Sequence, residues 1–125
     1  EFMIYLLRRA DGSLAPASSG TYVDPLGVPR HLELGRFEVD VLDSWKSKRS
    51  GAVYPSVWRV KIPLAGIEVV VSSNLANQEM RPADPAGITY WEGSVSARGT
   101  KGGGAIDGQG YVELTGYARP LEELR

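Results

Sequence analysis

The sequence predicts an all-β domain, most simply a small, closed antiparallel barrel of about eight or nine strands with a short C-terminal helical turn. Fifteen Gly and eight Pro punctuate the 125 residues, and the runs between them are rich in β-branched and aromatic residues. Several of these runs alternate apolar and polar residues with the period of a half-buried strand. Closure into a barrel is favoured because it removes unpaired sheet edges.

Turn residues mark the end of the first strand and the hairpin that follows it. Residues 2–9 form an apolar run that ends at Asp11-Gly12, a pair that tolerates the positive φ of a tight turn. Residues 20–23 and 29–34 then flank Asp24-Pro25-Leu26-Gly27, where Pro presets φ and Gly accepts a left-handed position. The first part of the chain is therefore predicted to be one strand and a hairpin.

The middle of the chain continues this pattern. Residues 36–43 alternate cleanly, residues 45–51 form a polar loop, and residues 57–62 and 67–72 alternate again. Residues 74–80 are predicted to form a shorter strand. The apolar residues predicted to face the core are Phe37, Val39, Val41, Trp58, Val60, Ile62, Ile67, Val69 and Val71.

A last strand pair is predicted over residues 88–98 and 110–117, after a Pro-rich loop at 81–87. The Gly-rich residues 99–108 between them are predicted to be a flexible hairpin tip. Only residues 120–125 are predicted to be helical, with Pro120 at a permissible first-turn position. A chain of this length is one domain, predicted here over residues 1–125.

Composition and spacing argue against several function classes. The net charge is −1 and the charges are scattered, so no surface for nucleic acid or an anionic membrane is predicted. The absence of Cys excludes disulfides and thiolate chemistry, and the apolar runs are too short to span a membrane. His31 has no partners at a ligand spacing, no Gly-x-Ser-x-Gly occurs, and no phosphate loop is present. No metal and no cofactor are expected.

Several motifs resemble one known family. They are the strand Tyr90-Trp91-Glu92-Gly93, the strand Gly110-Tyr111-Val112-Glu113-Leu114-Thr115-Gly116-Tyr117, Arg8 to Ser13, Tyr54-Pro55 before Trp58-Arg59, and Asn77-Gln78-Glu79. Together they resemble the C-terminal half of the carotenoid 1,2-hydratase (hydroxyneurosporene synthase) and AttH-like family. This resemblance covers nearly the whole chain.

The resemblance implies a lipocalin-like barrel that is one of two in a longer protein, so an N-terminal barrel is expected as its partner. The family includes hydratases of isoprenoid or polyketide alkenes and pericyclic cyclisation catalysts. It is compatible with a periplasmic or secreted protein, although this chain carries no signal segment. Fold transfers between relatives more safely than chemistry does.

The last hairpin carries the candidate site. A hydratase that protonates an isolated alkene needs a carboxylic acid kept neutral by an apolar site, and aromatic faces for the developing cation. If the apolar faces of the two strands match, one face carries Tyr90, Glu92, Ser94, Tyr111, Glu113, Thr115 and Tyr117.

This face has three interpretations. It could line a cavity in which Tyr90, Tyr111 and Tyr117 contact a ligand and Glu92 or Glu113 is the acid. It could instead be the outside of the barrel, with Trp91, Val95, Val112 and Leu114 in the core, and alternation alone favours this second interpretation. In the third, one Glu bonds buried backbone or Arg98 in a structural network.

Three functions follow as hypotheses. The preferred one is a domain that helps to enclose an elongated apolar small molecule, with Tyr90, Trp91, Tyr111 and Tyr117 as ligand-binding residues. The second is part of a cofactor-independent lyase in which Glu92 or Glu113 adds a proton and Tyr90 or Trp91 faces the cation. The third is a structural barrel that supports its partner domain. Separately, an unpaired domain could self-associate through the surface meant for its partner.

Overall fold

The computed structural model describes residues 1–119, which form nine antiparallel strands and one 3-10 turn at Pro63–Ala65. The all-β prediction is confirmed. The strands are β1 (Phe2–Tyr5), β2 (Ser19–Val23), β3 (Pro29–Glu33), β4 (Glu38–Lys46), β5 (Val53–Ile62), β6 (Ile67–Ser73), β7 (Glu79–Met80), β8 (Tyr90–Lys101) and β9 (Gly104–Leu114).

The strands belong to two sheets. The first has three strands in the order β1-β2-β3, and the second has six, in the order β4-β5-β6-β8 with β7 and β9 both paired to β8. Trp91 pairs with Glu79 of β7 and with Leu114 of β9, so these two strands lie on opposite edges of β8. Within residues 1–119 no strand pairing joins the two sheets, so the closed barrel is not confirmed.

A single core lies between the two sheets. Tyr22 and Leu32 of the first sheet belong to the same buried cluster as the inner faces of β5, β6 and β8. The Lys101 ammonium also lies 5.7 Å from the centroid of the Tyr22 ring and so links the sheets. The predicted inner faces of β5 and β6 are confirmed by the burial of Trp58, Val60, Ile62, Ile67, Val69 and Val71.

Several predicted strands differ from the structure: the strand predicted at 2–9 is Phe2–Tyr5, that at 74–80 is only Glu79–Met80, and that at 110–117 is Gly104–Leu114. β1 ends at Tyr5 because the backbone of Leu7 bonds elsewhere: its N–H donates to the Ser18 hydroxyl (3.0 Å) and its C=O accepts from the Ala15 N–H (2.8 Å). Val41, predicted to be in the core, is 48% exposed. Its strand leaves the regular register between Val41 and Asp43, and such a bulge turns side chains away from the packed face.

The prediction of a long flexible tip at residues 99–108 is wrong. β8 and β9 pair continuously from Trp91↔Leu114 to Lys101↔Gly104, and the turn is only Gly102 and Gly103, with φ of 56° and 82°. Positive φ at both residues is typical of the two-residue hairpin turn whose backbone twist matches that of the flanking strands. At Gly99 a Cβ atom would lie 2.0 Å from the carbonyl oxygen of Glu68, so this glycine permits close strand approach rather than flexibility.

The helical turn predicted at residues 120–125 lies outside the described residues. Within the described part, no helix has the length and apolar character needed to cross a membrane.

Candidate functional site

The polar face of the last hairpin looks outward. Trp91 is 1% exposed and its indole N–H donates to the Ala76 carbonyl (2.9 Å), which places it in the core. Glu92 pairs directly with Glu113 across β8 and β9, and the Tyr90 hydroxyl donates to Glu92 Oε1 at 3.2 Å. Tyr111 is 66% exposed and Glu113 is exposed as well. Alternation therefore brings Glu92 and Glu113 together on one face, on which Tyr90 and Glu92 are half-buried while Tyr111 and Glu113 are exposed.

Tyr117 separates from the other predicted site residues and joins an aromatic row (Trp45, Tyr54 and Tyr117). The Tyr54 ring centroid lies 6.1 Å from that of Trp45 and 5.7 Å from that of Tyr117. Tyr54 is fully buried, whereas Trp45 and Tyr117 are half-buried. The Arg8 guanidinium carbon lies 5.8 Å from the centroid of Tyr117. The row thus runs from the core towards solvent on both sides of Tyr54.

The half-buried Glu79 carboxylate accepts a hydrogen bond from Tyr54, the central ring of this row. We call the hydrogen-bonded group of Ser47, Ser50, Tyr54 and Glu79 the Glu79 network. Glu79 Oε1 accepts from the Ser47 hydroxyl at 2.9 Å. Glu79 Oε2 accepts from the Ser50 hydroxyl at 2.5 Å and from the Tyr54 hydroxyl at 2.9 Å. Three hydroxyl donors on one carboxylate fix the Tyr54 ring in position.

The network keeps Glu79 ionised. Desolvation acts to raise the pKa of Glu79, but the hydroxyls of Ser50, Ser47 and Tyr54 and the charge of Arg81 outweigh it, so the pKa lies below its usual value. Desolvation and the neighbouring Glu79 carboxylate together raise the pKa of Tyr54. At neutral pH Glu79 is therefore a hydrogen-bond acceptor and not a proton donor.

The loop between β4 and β5 supplies two of the donors. The Ser47 hydroxyl accepts the backbone N–H groups of Arg49 and Ser50, both at 3.2 Å, and the Ser50 hydroxyl accepts that of Ala52 at 3.1 Å. Gly51 closes the turn with a φ of 77°. Serines that bond neighbouring N–H groups shape such loops, and here they present their hydroxyls to Glu79.

Gln78 anchors β7 and so positions Glu79. Its side-chain oxygen accepts the Ser94 N–H at 3.1 Å and its side-chain nitrogen donates to the Leu75 carbonyl at 2.9 Å. A Cβ atom at Gly93 would lie 2.1 Å from the Gln78 side chain. The absence of a side chain at Gly93 of the family motif therefore leaves the space that the Gln78 side chain occupies.

Sequence reasoning missed the Glu79 network as a unit. Tyr54 and Glu79 were singled out only as parts of the family motifs, because their contact joins residues 25 positions apart. The signal in the sequence that could have paired them is that both residues belong to segments that carry the family resemblance.

Two open surface clefts on the described residues lie near the features described above. One lies beside β1 and β2, is lined by Phe2 and Met3, and has a volume of about 330 Å³. The other borders Ser50 of the Glu79 network and has a volume of about 380 Å³. No three His, Cys, Asp or Glu side chains of residues 1–119 come together as a metal site requires.

Comparison with known proteins defines the class. The sequence model of the AttH-like family matches residues 1–117, so the chain belongs to the AttH-like family and the predicted resemblance is confirmed. No curated protein matches the chain.

Two of the solved structures that match the chain show the shared fold. One is an AttH protein from Nitrosomonas europaea, with a TM-score of 0.80 and 31% identity over 94% of this chain. The other is kievitone hydratase from Nectria haematococca, with a TM-score of 0.71 and 20% identity over 94% of this chain. In each case the chain spans 35% of the relative's length.

Proposed function

We propose that this domain helps to bind and enclose an apolar small molecule, and that the ligand contacts the aromatic row. The single observation that supports this is the row itself: two half-buried rings, Trp45 and Tyr117, lie on either side of a Tyr54 ring fixed by Glu79. Pre-positioned aromatic rings offer a large contact area at little cost in conformational entropy.

Enclosure in this proposal comes from the remainder of a longer AttH-like protein. The domain's own core is filled by Trp58, Trp91 and the aliphatic residues around them, and the clefts beside β1 and beside Ser50 are open to solvent. A lipocalin-like barrel completed by other parts of such a protein would cover the row from outside. The ligand would then lie between domains, where small-molecule sites are common.

Titration of the chain with N-phenyl-1-naphthylamine, an uncharged fluorescent probe, tests whether the aromatic row binds an apolar molecule. Trp45 is the half-buried tryptophan, whereas Trp58 and Trp91 are 7% and 1% exposed, so bound probe should quench mainly Trp45. Tyr117→Ala should weaken probe binding about tenfold, the value of one aromatic contact. Trp45→Phe keeps a ring next to Tyr54 and should abolish most of the quenching while binding persists.

Tyr111→Ala is the matched comparison, because Tyr111 is 66% exposed on the outer face of β9. It should leave probe affinity within about twofold of that of the unaltered chain. If Tyr111→Ala weakens binding and Tyr117→Ala does not, the outer face of the hairpin is the binding surface and the aromatic row is not.

A second candidate function is hydration of an isoprenoid alkene, supported by the Glu92–Glu113 pair with the Tyr90 hydroxyl on Glu92. Two adjacent carboxylates can share a proton when an apolar partner covers them, and a hydratase is among the structural neighbours. Glu92→Gln and Glu113→Gln would be assayed in a full-length AttH-like protein that contains this domain. At least one should lower turnover about a hundredfold; unchanged turnover in both would refute this candidate.

A further inference from the structure

Three arginines line the cleft that borders the Glu79 network, which we call the arginine cleft (Arg49, Arg81 and Arg119, with Ser50, Asp84 and Thr89). Arg49 lies in the loop between β4 and β5, Arg81 follows β7, and Arg119 follows β9. The three side chains are thus brought together by tertiary structure and not by a basic run in the sequence.

The charge of this cleft differs from that of the whole chain. The chain has a net charge of −1, whereas the cleft is lined by three guanidinium groups and one carboxylate, Asp84. It therefore carries an excess of two positive charges. A concave surface with one sign of charge concentrates ligands of the opposite sign.

The three guanidinium groups form no salt bridge with an acid of residues 1–119, although Arg81 is near enough to the ionised Glu79 to lower the pKa of that carboxyl. The salt bridges within residues 1–119 are Arg59–Glu68 and Lys61–Glu38, both outside the cleft. Both oxygens of Glu79, the nearby carboxylate, accept hydroxyls of its own network. The Asp84 carboxylate accepts the backbone N–H of Ala86 at 2.9 Å. Both acids thus accept protein hydrogen bonds, and both keep their negative charge.

The loop at residues 81–87 gives the cleft a defined wall. Gly87 donates its N–H to the Asp84 carbonyl at 2.9 Å, and a Cβ atom at Gly87 would lie 2.2 Å from Pro82. The Arg119 guanidinium donates to the Gly87 carbonyl at 3.3 Å, which holds this side chain against the loop. Since Arg119 uses one of its five N–H donors there, the others remain for a ligand.

A phosphate group matches this cleft better than a carboxylate does. A phosphate monoester carries nearly two negative charges and three acceptor oxygens at neutral pH, and the excess positive charge of the cleft lining attracts it. Arginine is well suited to phosphate because its planar fork donates paired hydrogen bonds. The cleft volume of about 380 Å³ is that of about a dozen water molecules, which leaves space for an organic group beside the phosphate.

We propose that the arginine cleft binds the phosphate group of a small phosphorylated molecule. This site is separate from the aromatic row and does not depend on the proposed apolar ligand. The uncharged probe of the row carries no group that the arginines would recognise, so either proposal can fail while the other holds.

Isothermal titration of the 125-residue chain with inorganic phosphate at low ionic strength tests the site. Saturable binding with one phosphate per chain is expected, and added sodium chloride should weaken it. Arg49→Gln, Arg81→Gln and Arg119→Gln should each weaken binding about five- to tenfold, because each removes a charge-assisted donor. Arg36→Gln removes the same charge from an exposed loop outside the cleft and should change affinity less than about twofold.

A substitution that removes a negative charge from the cleft gives a further test, because it should strengthen phosphate binding. Asp84→Asn removes the only carboxylate of the cleft lining but keeps an oxygen to accept the Ala86 N–H, so it should strengthen phosphate binding about twofold. The proposal is overturned if phosphate does not bind, or if the three cleft variants bind it as well as Arg36→Gln does. It is also overturned if succinate binds more tightly than phosphate at equal ionic strength.

Discussion

Removal of the Glu79 carboxylate should destabilise the fold, and the structure indicates by how much. In Glu79→Ala, three hydroxyls lose their acceptor. Tyr54 and Ser47 are 0% and 1% exposed, so their hydroxyls lose a partner that water cannot easily replace. Ser50 is exposed, and water can take the place of Glu79 there.

The expected cost follows from these two buried donors. An unsatisfied buried hydroxyl costs about 1–3 kcal/mol, so the two together give about 2–6 kcal/mol. Water that enters through the exposed side at Ser50 lowers this towards the lower half of the range, and we expect a loss of about 3 kcal/mol. With a urea m-value of about 2 kcal/mol/M for a chain of this size, the unfolding midpoint should fall by about 1.5 M.

Urea unfolding followed by tryptophan fluorescence and circular dichroism measures this change. Glu79→Gln is the matched control because its amide oxygen still accepts hydroxyl donors, and it should cost about 1 kcal/mol. Tyr54→Phe in the Glu79→Ala background should cost little more than Glu79→Ala alone, since the two residues share one interaction. Additive losses in this double variant, or a loss below about 0.5 kcal/mol for Glu79→Ala, would show that the network does not stabilise the fold.

Three further predictions concern stability. Gly99→Ala should lower the free energy of unfolding in urea by about 2–3 kcal/mol, because its methyl group would strike the backbone of β6. Gly108→Ala is the control: a Cβ atom there meets nothing within 4 Å, so the free energy of unfolding should change by less than about 0.5 kcal/mol. Equal costs of the two substitutions would contradict the close approach at Gly99. Trp91→Phe leaves the Ala76 carbonyl without its indole donor and should cost about 2 kcal/mol, and an unchanged midpoint would refute this. The folded-state pKa of Glu79 is below its unfolded value of 4.5, so its stabilisation is present above that pH and is lost as the pH falls through the folded pKa. The stability difference between the unaltered chain and Glu79→Gln should therefore shrink below about pH 4.5, and a difference that grows on acidification would contradict the lowered pKa.

Local signals predicted much of the fold. The period of two at Trp58, Val60 and Ile62 assigns these residues to one face, and all three are buried. The Asp24–Gly27 turn places β2 and β3 correctly, within one residue at the ends. These elements were predictable because strand faces and turn types depend on neighbouring residues alone.

The glycines of the last hairpin show where local signals fail. A Gly-rich run is compatible with a flexible loop and also with strands that approach closely. Gly99 has the second role only because the Glu68 backbone lies against it, and Glu68 is 31 residues away in β6. The length of the hairpin thus depends on a contact that no local pattern contains.

The candidate site, like the fold, was predicted from the sequence only in part. The sequence was sufficient to place Glu92 and Glu113 on one face and to relate the chain to the AttH-like family, because alternation and motif order are properties of the chain itself. Only the tertiary structure revealed that this face is the outer one, that Tyr117 contacts Tyr54, and that Glu79 collects the hydroxyls of a distant loop. Which side of a strand is buried, and which distant side chains meet, depends on how the sheets pack, and packing sums contacts over the whole chain.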